Sequence, residues 1–178
     1  MRPPALFQLL FPLCCCLPVA CAAREEHPLR PAALEPAPAQ GAFDAANAAF
    51  EAGRYEEAAA AYERALGPNA PAAAEAEGEE WYRYGYALHV TGNLQRALAA
   101  HERATDFPKV APSAAYNLAC AHALLGHPDE AFAALDRAVG LGFRGLAQME
   151  GDPDLASLRA DPRWAPLKEK VEAAVQGG

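Results

Sequence analysis

Three histidines, one isolated cysteine and two aspartates are the residues of this chain best suited to chemistry. His89, His101 and His122 are spaced to fall on consecutive helices, from which a metal site could in principle be built. No carboxylate or cysteine stands at ligand spacing from them, so packed or surface histidines account for the set and no metal is expected. Cys120 lies beside Ala119 with no basic neighbour to lower its pKa, which predicts a small buried thiol rather than a nucleophile. Asp152 and Asp154 have the form of a catalytic carboxylate pair. Asp152 precedes Pro153, however, which is the pattern of a helix cap with proline in the first turn, and Asp154 reads as solvent-exposed. Glu75, Glu77, Glu79 and Glu80 read as a solvated face or loop. The sequence has no nucleophile elbow, glycine-rich phosphate loop or Ser/His/Asp arrangement. No enzyme and no cofactor are expected.

The elements that would carry these residues follow from composition. The 178 residues suit one ordinary domain, and the 52% hydrophobic count overstates the core because only 8% are aromatic. Roughly a quarter of the chain is alanine, which buries little area but has the best intrinsic helix propensity. A net charge of −8 argues against nucleic acid, and against an anionic membrane surface held by charge alone. Four of the five cysteines fall within the first 21 residues, so neither a disulfide framework nor a zinc module is supported.

Residues 1–23 read as an export signal: Arg2, an apolar run from Ala5 to Ala20 broken by Gln8, then small residues. Two cleavage readings compete. Ala20-Cys21-Ala22 fits the small-x-small rule of ordinary signal peptidase. Leu17-Pro18-Val19-Ala20-Cys21 resembles the lipobox of bacterial lipoproteins, departing from it at Pro18, and would make Cys21 the lipidated first residue. An uncleaved membrane anchor is disfavoured, because Pro12 and Pro18 interrupt a stretch barely long enough to span. Residues 24–40 carry Pro28, Pro31, Pro36 and Pro38 among alanines, which predicts a disordered tether.

From residue 41 to 140 the chain repeats. Gly53-Arg-Tyr-Glu-Glu-Ala58, Gly92-Asn-Leu-Gln-Arg-Ala97 and Gly126-His-Pro-Asp-Glu-Ala131 share one pattern. Seven residues before each glycine stands a small residue (Ala46, Gly85, Ala119). Five after stands alanine (Ala58, Ala97, Ala131), and twelve after alanine again (Ala65, Ala104, Ala138). The spacing predicts two amphipathic helices per unit, with glycine ending the first and small residues permitting a close crossing. One such unit cannot bury its apolar face, so successive units must stack. Beyond Gly140, Asp-Pro starts predict capping helices near 153–159 and 162–175, with Phe143, Leu146, Leu155, Leu158, Trp164 and Leu167 closing the last unit.

The pattern resembles the tetratricopeptide repeat family. Trp81-x2-Tyr84-Gly85-x2-Leu88 followed by Ala97-x3-His101 is similar to the family signature, with Ala58-x3-Tyr62 and Ala131-x3-Leu135 in the flanking units. The departures are His101, where the family prefers an aromatic residue, and five additional residues between units one and two, forming a longer loop or another helical turn. The resemblance implies an all-α superhelix of three helical hairpins, with residues 141–178 as a C-terminal cap.

It also implies a groove lined by the first helix of each unit. Carried over by position, its lining is Phe43, Asn47 and Phe50; Tyr82, Tyr86 and His89; Tyr116, Cys120 and Ala123. Only Asn47 matches the family's known clamp for a peptide carboxylate, so that specificity is not expected. A nearly uncharged aromatic stripe suits an apolar peptide or helix. The expected function is a non-enzymatic interaction module or scaffold of the cell envelope. It would be exported, as a periplasmic or membrane-anchored lipoprotein or else secreted, and would reach the membrane only through the N-terminal lipid. The alternative is a structural or self-associating module whose groove its own tail fills.

Overall fold

Alanines repeated at fixed distances from each turn glycine let helices close on one another, and the hairpins of the chain grow from that contact. The computed structural model describes residues 39–67, 70, 73 and 76–177, all within one unit, Leu34–Gly178. The segment read as an export signal, Cys21 and the expected tether up to residue 38 lie outside the described residues, as does most of the linker between the first two units.

Six helices pair as α1 (Ala39–Glu51) with α2 (Tyr55–Leu66), α3 (Gly78–Val90) with α4 (Leu94–Ala104), and α5 (Ala111–Leu124) with α6 (Pro128–Leu141). Successive hairpins stack through α2 on α3 and α4 on α5, while α1, α3 and α5 adjoin along one face. A short α7 (Leu146–Gly151), a 3₁₀ segment (Pro153–Leu158) and α8 (Trp164–Gln176) follow. The fold is an all-α solenoid of helical hairpins of the tetratricopeptide type, closed by C-terminal helices. Helix α1 takes in Ala39 and Gln40, which composition alone assigns to the tether.

Each turn is built the same way. Gly53, Gly92 and Gly126 have φ of 72°, 76° and 76°, a left-handed conformation that costs a residue with a β-carbon. In the first turn the Gly53 amide donates to the Phe50 carbonyl and the Arg54 amide to that of Ala49, both at 2.9 Å. This two-bond cap recurs at Gly92–Asn93 and Gly126–His127. It recurs a fourth time at Gly142, where Phe143 donates to Ala138 at 2.8 Å and the chain turns back across α5.

The small residues face inward as their spacing requires. Ala46, Ala58, Ala97, Ala104, Ala119, Ala131 and Ala138 are wholly buried, with Ala65 nearly so. In the middle hairpin His101 takes the place filled by Tyr62 in the first and Leu135 in the third. All three are buried, and His101 rests over Gly85, which has no side chain to obstruct the ring. Neither His101 ring nitrogen has a hydrogen-bond partner among the described residues. Burial, and then the neighbouring His89, hold its pKa down to about 3, so the ring is neutral at ordinary pH.

Glu77 and Glu80 of the acidic run cap the start of α3, while Glu75 lies outside the described residues. The Glu77 side chain accepts from the Glu80 amide while the Glu80 side chain accepts from the Glu77 amide, and Glu79 pairs with Arg83 at 3.1 Å. At the far end Met149, Leu155, Leu158, Trp164, Leu167 and Val171 join Ala119, Leu135 and Val139 in one core, so the tail is an integral layer of the third unit. Among the described residues no helix is long and apolar enough to cross a membrane.

Candidate partner-binding face

The face shared by α1, α3 and α5 divides into an aromatic half and a polar half. On the aromatic half Phe50 (the last turn of α1), Tyr55 (the first residue of α2) and Tyr86 (mid-α3) meet edge to face. Their centroids lie 5.5 Å apart for Phe50–Tyr55, and 5.7 Å for Phe50–Tyr86 and for Tyr55–Tyr86. All three rings are only partly buried. The Arg83 guanidinium stands 5.4 Å from the Phe50 centroid and is anchored by Glu51 at 3.3 Å and Glu79 at 3.1 Å. Asn47 serves the hairpin here, accepting from the Tyr62 hydroxyl at 2.5 Å and from Arg83 at 3.5 Å. Burial raises the Tyr62 pKa to about 12, so this hydroxyl stays a donor.

The polar half is made with the tail. Asp152 caps the 3₁₀ segment by accepting from the Asp154 amide at 3.0 Å, and its other oxygen accepts from the Tyr116 hydroxyl at 2.6 Å and the Cys120 thiol at 3.7 Å. Asp154 meets His89 Nε2 at 2.8 Å. Phe143, delivered by the turn at Gly142, stacks on Tyr116 with centroids 4.5 Å apart and planes 12° apart. Burial first, and the adjacent aspartates second, hold the Cys120 thiol well above the ordinary thiol range, so it is protonated and inert. Burial likewise raises Tyr116.

The nine positions expected to line the groove therefore divide. Phe50, Tyr82, Tyr86 and His89 remain partly accessible, and so does Asn47 despite its bonds to Tyr62 and Arg83. Phe43 is closed into the first core and Tyr116 lies beneath the tail, each less than a tenth exposed, so neither offers a surface; Cys120 and Ala123 are buried too. The cause at α5 is the fourth glycine turn, which folds the 3₁₀ segment onto it. Tyr82 leans towards the α4–α5 seam, against Ala104, Val110 and Ala114. Tyr55 was missed because it belongs to a second helix; its position two residues after the turn glycine was the available signal. Asp154 is half-buried against His89 rather than solvent-exposed. Folding also gathers ligand-type atoms that spacing could not: Cys120, Asp152 and Asp154 lie within 4.8 Å of one another. His89 and His101 approach to 6.1 Å, whereas His122 pairs with His127 at 5.8 Å.

The tetratricopeptide repeat model matches residues 39–67 and 112–141, which correspond to the first and third hairpins. Repeats of this type suggest a protein–protein interaction module. A relative, a chloroplastic protein of Arabidopsis thaliana, is 28% identical over 101 residues. The aligned region is 55% of this chain and 30% of the relative, so the chain spans less than a third of that protein's length.

Proposed function

We propose that this chain is a non-enzymatic interaction module that captures an apolar peptide or helix across α1 and α3. The observation that carries the reading is the Phe50–Tyr55–Tyr86 cluster, three partly exposed rings from three helices on the face the hairpins share. Rings of this kind supply a large contact area at little entropic cost, and such anchors dominate binding energy at interfaces. The double change Phe50→Ala and Tyr86→Ala should abolish capture of the partner by pull-down while helicity stays as in the native chain. Capture at the native level would place the site elsewhere. Over α5 the bonds of Asp152 to Tyr116 and of Asp154 to His89 favour the second reading, in which the tail fills this stretch of the groove and leaves the guest to the first two hairpins.

The proposed setting is outside the cytoplasm, with the lipobox-like Leu17–Cys21 segment and the small-x-small site supporting export. Intact-mass measurement of the mature protein separates the two cleavage readings. An N-terminal acylated Cys21 supports a tethered lipoprotein, an unmodified N-terminus at Ala23 supports secretion, and an uncleaved chain contradicts both.

A further inference from the structure

We propose that the cavity between α3, α5 and the tail receives a lysine or arginine side chain of the partner, next to an apolar residue lodged on the Phe50–Tyr55–Tyr86 rings. The inference rests on the interaction reading above and specifies the partner's chemistry. The cavity measures about 250 Å³ and is walled by Tyr86, His89, Asn117, Cys120, Asp152 and Asp154, among others. Tyr86 belongs both to this wall and to the ring cluster, so the two subsites are contiguous. Among the described residues no lysine or arginine lines the cavity. The guanidinium of Arg159 engages the backbone carbonyl of Asp152 at 2.7 Å, not its carboxylate.

The walls select among occupants. Asp152 is already engaged by the Asp154 amide, the Tyr116 hydroxyl and the Cys120 thiol. Asp154 accepts through one oxygen, from His89, and its other oxygen takes no hydrogen bond among the described residues. His89 Nδ1 is buried and has no partner among the described residues. An apolar group entering here would strip water from the free Asp154 oxygen without giving it a partner. An acidic group would meet two carboxylates. A metal ion would have to share Asp152 with the three donors it already accepts from, and to displace the proton of the buried Cys120 thiol to complete the set. An ammonium or guanidinium donates to the free Asp154 oxygen while resting against the Tyr86 ring.

The test is selection of a phage-displayed random dodecapeptide library on the full chain, run in parallel with EDTA and with added zinc. The expected result is enrichment, in both buffers, of peptides with a lysine or arginine beside a large apolar residue. Calorimetry on an enriched peptide should show about tenfold weaker binding when its basic residue becomes methionine, and the same loss on the protein variant Asp154→Asn. Should Asp154→Asn melt abnormally, the methionine peptide on the native chain decides. Enriched peptides that lack a basic residue yet lose binding to Tyr86→Ala would overturn this inference and leave the interaction reading standing. Enrichment only with zinc would overturn it in favour of a metal site. No enrichment in either buffer would overturn both readings.

Discussion

The imidazole of His101 lies across Gly85: a β-carbon added to that glycine would stand 2.5 Å from His101 Nδ1. The middle hairpin thus meets its close crossing with a ring on one helix and nothing on the other. The flanking hairpins put alanine opposite Tyr62 and Leu135. Gly85→Ala should therefore destabilise the fold by about 1–3 kcal/mol, despite alanine's better helix propensity. In a urea-denaturation cycle His101→Ala should recover part of that loss, because the two residues share one space. Additive effects would mean that ring and glycine are not in contact.

The same ring makes the protein acid-sensitive. An unfolded histidine binds its proton near pH 6.5, whereas folded His101 does so only near 3. Across that window the unfolded state holds more protons, so the stability contributed by the neutral ring is complete above about pH 6.5 and is lost progressively as pH falls towards 3. His122, also lowered by burial, acts in the same direction. Melting temperatures between pH 7 and 4 should fall steeply for the native chain and less steeply for His101→Phe. Parallel curves would show that His101 is not the group resisting protonation.

Removal of residues 151–178 should abolish cooperative melting. The deletion exposes the layer that Leu155, Leu158, Trp164, Leu167 and Val171 cover, and it strands Tyr116 without Asp152. The narrower change Tyr116→Phe should leave the fold intact while speeding amide exchange in Pro153–Leu158, since it removes one of the bonds holding that segment to α5. A truncated chain that melts cooperatively would mean the tail is an addition to a self-sufficient array.

The hairpins were legible because their signal is periodic: glycine at the turn, and alanine at five and twelve residues beyond it, each tied to a close crossing that tolerates no larger group. The Asp-Pro starts of the tail were legible for a local reason, since capping needs only neighbouring residues. The site was less so. Phe50 and Tyr86 could be placed on the shared face by position, but Tyr55 joins them from the next helix around the turn. Phe43 and Tyr116 occupy equivalent positions and are buried, because what covers a residue depends on chain remote in sequence. Asp152 reaches Tyr116 across 36 residues and Asp154 reaches His89 across 65, separations at which no spacing rule operates. Glu77 and Glu80 carry the separation of a capping box, although their charge alone suggests no more than a solvated surface.

A photo-crosslinking amino acid placed at Tyr86, compared with the same group at Arg64 on α2, tests the central claim most directly. The account predicts a specific adduct with one partner from Tyr86 and none from Arg64, lost when an enriched peptide is added in excess. Equal labelling from both positions, or an adduct from Arg64 alone, would contradict it.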